Sequence, residues 1–308
     1  MVKKKDGSHL SERNRLRRNT AFDYINIVFM VFFCVTIAYP FLNTLAKSLS
    51  SDQAIMLGRV FVWPVDLSLK SYQHVINSSS FYYALRNTLF ITVVGTLINL
   101  TITLTSGFAF ARHVIGYKVL FLLVLFTMFF SGGIIPTYLL IRNLGLYDTH
   151  WAIILPSAFG AFNMILARNF FQNLPEEVLE SSMIDGCNDL RMFIRIALPM
   201  SKPVIATLSL FVMVGFWNVF MAGVLYLETP RLQTLQMYVR AVVFQAQNAL
   251  DSNALLQSQQ DMRDPASVLG AEPIRAVVLM LATIPIVCVY PFLQKYFVHG
   301  INLGAVKE

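Results

Sequence analysis

Long apolar runs separated by short polar stretches set the pattern of this chain. A hydrocarbon layer about 30 Å thick takes about 20 apolar helical residues to cross. Six stretches meet or approach that length: 22–46, 85–111, 119–141, 151–167, 203–227 and 274–294. The third carries Ser131-Gly132-Gly133 and Pro136, and the fourth is short and carries Pro156 and Gly160. Both predict a bend, and irregular backbone at membrane depth survives only where protein or a water-filled cavity shields it. The pattern predicts an all-α integral membrane protein with six transmembrane helices. A tail, 1–20, precedes a six-span unit, 21–308, whose loops at 47–84 and 228–273 emerge on the face opposite the loop at 170–202.

Composition agrees with the pattern. The chain is 56% hydrophobic and 13% charged, where a soluble domain carries about a quarter charged residues. Its mean hydropathy is +0.59. The net charge is +7, and the distribution of Lys and Arg gives the orientation. An even number of spans puts both termini on one side, and fifteen of the 24 Lys and Arg fall there, seven of them within 1–20. The denser side is the cytoplasmic one, so the termini and the loop at 170–202 are expected in the cytoplasm. The basic tail reads as an anchor facing anionic lipid. It lacks the interleaved aromatics of single-strand nucleic-acid binders, and no small-residue cleavage site follows the first apolar run, so a cleavable leader is not expected. Cys34, Cys187 and Cys288 have no metal-ligand spacing and read as packing residues.

The one ordered polar stretch between spans is 176–199, EEVLESSMIDGCNDLRMFIRIALP. Pro175 suits the first position of a helix, and Glu176 and Glu177 complement its positive end. Val178, Leu179, Ser182 and Met183 recur at helical spacing. Gly186 after Asp185 is a stop signal. Asn188 or Asp189 can cap a second helix over 190–198, and Pro199 and Pro203 bracket the start of the fifth span. The sum is a compact charged knob, the kind of lever that rigid-body coupling needs.

Enzyme signatures are missing. There is no G-x-x-x-x-G-K-[ST], so ATP has no P-loop here, and no H-E-x-x-H or C-x-x-C. The five histidines share no metal-binding spacing, and neither a catalytic nor a metal site is expected. The spans hold almost no carboxylates, which argues against a proton- or sodium-coupled carrier.

The core Glu180-Ser181-Ser182-x-x-Asp185-Gly186, followed after nine residues by Ile196-x-Leu198-Pro199, resembles the EAA signature of permease subunits in ATP-binding-cassette importers. Ser181 and Ser182 stand where alanine is usual, and Cys187 follows the glycine. Further stretches, among them 131–142, 169–175, Trp217-Asn218 and 290–297, are similar to the smaller permease of maltose-type carbohydrate importers, in the branch associated with complex oligosaccharides. The resemblance implies the type I permease fold and a bacterial cytoplasmic membrane. It implies a heterodimer with a second permease, ATPase subunits that hold the ATP and Mg, an extracytoplasmic solute-binding protein and a sugar substrate. No nucleic acid and no cofactor within the chain are implied. Glu180 would contact the ATPase, and Asp185-Gly186 would shape the loop. The Gln- and Asn-rich run 245–264 reads either as a solvated linker or, by the resemblance, as a segment that reaches the binding protein.

Polar and aromatic residues inside spans are candidates for the solute path: Asn99, Asn163, Trp217, Asn218 and Tyr226. The alternative for each is a role as packing glue between helices. Three rival readings remain: a membrane anchor or structural subunit with no transport path, an importer permease for a non-sugar solute, and a secondary transporter. The last predicts intramembrane charges and related halves, and neither is visible.

Overall fold

The computed structural model describes residues 21–112, 115–256 and 270–304. The basic tail 1–20 and the later part of the 245–264 run lie outside the described residues. Those described form helices and connecting turns, with one isolated antiparallel bridge, Ser50 to Leu67.

In chain order the helices are α1 (Ala21–Ser48), α2 (Asp52–Met56), α3 (Lys70–Ile76) and α4 (Ser79–Ala111), then α5 (Tyr117–Phe129), α6 (Ile134–Asn143), α7 (Trp151–Ile154) and α8 (Ala161–Gln172). The polar loop supplies α9 (Glu176–Ile184), α10 (Asp189–Met192), a π-helical turn Phe193–Ala197, and α11 (Leu198–Met200). The chain closes with α12 (Lys202–Trp217), α13 (Met221–Tyr226), α14 (Leu235–Leu256) and α15 (Ala271–Gly304).

Among the described residues, three helices are long and apolar enough to cross a membrane unaided: Phe22–Ser48, Ser79–Ala111 and Ala271–Val289. Two bent pairs qualify jointly, α5 with α6 at 114°, and Asp189–Met200 with α12 at 83°. The bend expected at Ser131-Gly132-Gly133 is the first of these, with Gly133 at φ 85°. The stretch 151–167 does not form one helix: α7 ends at Ile154, irregular backbone carries Pro156 and Gly160, and α8 starts at Ala161. The stretch 203–227 is likewise divided, because α12 ends at Trp217 and α13 begins at Met221. Within 228–273, expected as a loop, the chain forms the 22-residue α14.

α4 is the central post. It packs against α8 and α12, and against α14 nearer its N-terminus. Two glycines let its neighbours come close: a Cβ on Gly107 would sit 2.7 Å from that of Ala167 in α8, and one on Gly95 would sit 2.7 Å from the Phe216 ring in α12. At about 1.5 Å per residue the 33 residues of α4 run about 50 Å, and the 34 of α15 as far, well past the hydrocarbon core. The apolar surface is distributed unevenly. None of the apolar window of α1 is covered, whereas 44% of that of α4 is buried.

Candidate functional site

The polar loop folds as a closed unit. Pro175 (φ −58°, ψ 119°) precedes α9 rather than opening it, so Glu176 and Glu177 occupy the first turn. The helix ends in a doubly bonded turn around Gly186 at φ 77°. The Cys187 amide donates to the Ser182 carbonyl (3.0 Å), and the Gly186 amide donates to that of Met183 (3.0 Å). This is the Schellman arrangement, which needs the left-handed residue that glycine supplies without strain. The cap of the next helix is Asn188, whose side-chain oxygen accepts from the Arg191 amide at 2.9 Å. The second helix is not α throughout. It widens to a π turn over 193–197 just before Pro199, which has no N–H to give the preceding turn.

One face of this unit is welded to the helix body. Leu179, Met192, Phe193 and Ala197 share a buried cluster with Leu104 and Phe108 of α4, Phe171 of α8 and Leu208 of α12. Three rings form its centre: Phe108 lies 5.5 Å from Phe171 and 5.2 Å from Phe193. Ile196 and Leu198 pack against the cluster half-buried. Ser182 is buried and Ser181 exposed, and each donates its hydroxyl to a carbonyl of its own helix, Leu179 at 2.7 Å and Val178 at 3.1 Å. The expected apolar face is narrower than its spacing suggested, since Leu179 is buried while Val178 and Met183 are exposed. The outer face carries Glu180, Asp185, Gly186 and Pro199 together with three strongly exposed apolar side chains: Ile184 (87% exposed), Leu190 (65%) and Ile194 (54%). Sequence reasoning missed the phenylalanine triad and these apolar tips. The helical register of Ile184, Leu190 and Ile194 away from the buried positions was the available signal.

The solute-path candidates are not brought together. No hydrogen bond or ring contact joins any two of them among the described residues. Asn99 is buried, donating to the Ser157 carbonyl (2.8 Å) and accepting from the Thr103 hydroxyl (3.2 Å). Trp217 is 5% exposed, and its indole N–H donates to the Ala282 carbonyl at 3.1 Å. Tyr226 is buried with its ring stacked on Tyr138. Asn163 is half-buried near Gly160, and Asn218 is exposed at the end of α12, held by Val214 and Gln236.

At the other end of the molecule, irregular backbone between α13 and α14 is held by side chains from elsewhere. The Asp148 carboxylate, on a residue with φ 55°, accepts from the amides of Glu228 (2.8 Å) and Thr229 (2.9 Å) and from the Thr229 hydroxyl (2.5 Å). Those bonds, the hydroxyl's foremost, hold its carboxyl below the ordinary carboxylate range. The His150 ring nitrogen faces the Leu232 carbonyl at 3.3 Å, and burial keeps that imidazole below its ordinary value. From α4, Asn87 donates to the carbonyls of Arg231 (2.8 Å) and Gln233 (3.1 Å), while the Thr88 hydroxyl accepts from the Leu235 amide (2.7 Å). Buried main-chain polar groups require such partners wherever no helix supplies them.

An apolar helical body with a polar unit welded to one end describes a membrane-integral transport component, and comparison with known proteins gives its family. Residues 11–303 match the family described as binding-protein-dependent transport system inner membrane component, and the chain belongs to it. It is 42% identical to Protein LplC of Bacillus subtilis over 93% of this chain and 95% of that one. It is 38% identical to the polygalacturonan/rhamnogalacturonan transport system permease protein YtcP of the same organism, over 94% and 99%. A bacterial ABC transporter involved in the import of the acidic polysaccharide alginate has a chain of the same fold, with a TM-score of 0.82 and 31% identity, covering 91% of this chain and 98% of that one.

Proposed function

We propose that this chain is one of two permease subunits of an ATP-driven, binding-protein-dependent importer of oligosaccharides in a bacterial cytoplasmic membrane. In this reading it spans the membrane six times, by α1, α4, α5–α6, α7–α8, α12–α13 and α15, with both termini in the cytoplasm. ATP and Mg reside in a separate ATPase pair. The observation that carries the reading is the welded polar unit. It is closed by its own caps, it shares one aromatic cluster with α4, α8 and α12, and its outer face presents Glu180, Asp185 and three exposed apolar tips.

A body built this way moves as one piece. Closure of the ATPase pair on ATP would displace it through contacts at Glu180 and its neighbours. Ser181, Ser182, Asp185, Gly186, Ile196, Leu198 and Pro199 keep its shape or seat it. The displacement passes into α4, α8 and α12 and opens the bundle outward, and hydrolysis resets it. The saccharide cargo is supported by the relatives' substrates: polygalacturonan and rhamnogalacturonan for one, arabinooligosaccharides for another. Asn163 and Asn218 are the two solute-path candidates whose side chains are not buried. In the six-span arrangement α14 stands on the outer side, where the 245–264 run can meet a binding protein.

The test is reconstitution with the second permease, the ATPase and the binding protein, followed by ATPase stimulation across an oligosaccharide panel. Stimulation by one sugar class, lost in Glu180→Ala in an assembled complex, supports both halves of the reading. Stimulation that survives Glu180→Ala removes the coupling role, and stimulation only by a non-sugar solute removes the cargo.

A further inference from the structure

Trp217 has a tryptophan's usual qualification for a sugar site, an aromatic face, and the structure withdraws it from that use. Its ring is buried and its N–H is spent on the main chain of another membrane helix. The position of that carbonyl is informative. Ala282 lies within two overlapping stretches that weaken the helix, 279–283 and 281–285. The Thr283 hydroxyl bonds back to the Leu279 carbonyl at 2.8 Å, a habit that bends helices. Pro285 has no N–H for the Leu281 carbonyl and crowds it. Trp217 therefore grips α15 at a stretch where its own ladder is weakened.

The other end of α12 is equally placed. Trp217 is its last residue, and its first, Lys202, follows the 83° bend from the polar unit. Sixteen residues make a rod about 24 Å long. At the far end of that rod two neighbours fasten to two different helices: Phe216 against Gly95 of α4, and Trp217 against Ala282 of α15.

We propose that Trp217 is a positioning residue that transmits displacement of the polar unit to α15, which pivots at Thr283–Pro285. The proposal rests on the importer reading above. Movement of α12 carries the indole and the Ala282 carbonyl with it, so the pivot itself is displaced and the part of α15 beyond Pro285 swings about it. Without the grip, the weakened segment absorbs the displacement.

The test uses the complete reconstituted importer. Trp217→Phe keeps an aromatic ring and deletes the N–H. Solute moved per ATP hydrolysed should fall about fivefold, the scale of one hydrogen bond, with ATPase stimulation reduced less. Pro285→Ala returns an N–H to the Leu281 carbonyl and stiffens the pivot, so the double variant should recover most of the loss. A second readout does not need transport. With Cys34→Ser and Cys187→Ser in place, a trifluoromethyl tag on the exposed Cys288, three residues past Pro285, reports the mobility of α15. Its fluorine signal should broaden in Trp217→Phe and sharpen again in the double variant. An unchanged signal in Trp217→Phe, or losses that simply add in the double variant, overturns the proposal in favour of plain packing. A wild-type complex that no loaded binding protein stimulates would sink the importer reading instead, and the fluorine signal would still decide the pivot.

Discussion

The polar unit at 174–201 and the irregular segment at 227–235 both interrupt apolar helices, and they are held in opposite ways. The first makes its own bonds: Cys187 to Ser182, Gly186 to Met183 and Arg191 to Asn188 span at most five residues each. Its ties to the body are mainly apolar, with one hydrogen bond from the Arg112 guanidinium to the Met183 sulfur at 3.4 Å. The second makes few bonds of its own and borrows the rest from α4 and the 148–150 turn, across up to 147 residues. Local closure produces a piece that can move without losing its shape. Borrowed closure produces a piece fixed to whatever lends the bonds. A lever at one end and an anchorage at the other fit the alternating-access reading proposed above.

The comparison can be broken most forcefully at the aromatic weld. Phe193→Ala should cost about 3–5 kcal/mol, as buried phenylalanine truncations do. It should free the polar unit as an intact piece, so hydrogen exchange should rise across the cluster while the amides of Gly186, Cys187 and Arg191 stay protected. Loss of protection at those amides as well would show that the unit is not closed by itself.

Asn87→Ala is the matching cut at the other end. It strands two main-chain carbonyls that one side chain now serves, at about 1–3 kcal/mol. Exchange should accelerate over 228–235 and leave the polar unit untouched. Equal acceleration at both ends would mean that they are not independent.

Asn188→Ala removes a cap worth about 1 kcal/mol. The expected effect is local: faster exchange at the Arg191 amide and earlier proteolytic nicking after Arg191, with no change near Asp148.

The smallest effect is one of pH. The Asp148 carboxyl is held below its ordinary value, so its bonds to Glu228 and Thr229 are at full strength above that value and are lost as pH falls through the lowered one. Proteolysis of the 227–235 segment should quicken only on the acid side of the ordinary carboxylate range. In Asp148→Asn, which tolerates the same positive φ, that acid-side change should disappear.

What could be read from the residues follows the same division. The stop at Gly186 and the cap at Asn188 were legible because each signal and its partner lie within a few positions. The runs that became α1, α4 and α15 were legible because crossing a membrane needs only length and apolarity. The break after Trp217 was not legible. No proline or glycine marks 218–220, and the turn is held by the Thr234 hydroxyl bonding to the Val219 carbonyl. α14 was hidden by its glutamines and asparagines, and it is packed against α4 and α15, which the sequence does not place beside it. Asn99 and Trp217 stood out as polar or aromatic residues in spans, but their partners lie 58 and 65 residues away. Nothing local separates a gripping residue from a solute-facing one.

The bareness of α1 has a consequence for how the chain is made. Its apolar window is uncovered; its C-terminal turns meet 54–72, and the other membrane-length helix it touches is α15, as in the Lys47–Glu272 ion pair 225 residues apart. At about 5–20 residues per second, a ribosome needs about 10–45 s to reach the second member of that pair after the first. For that interval the newborn helix has, of the neighbours it will keep, those in 54–72 at its C-terminal end and not α15. It has to enter the bilayer and hold its orientation on its own apolarity, so insertion of the first span is a separate event, completed before the fold exists.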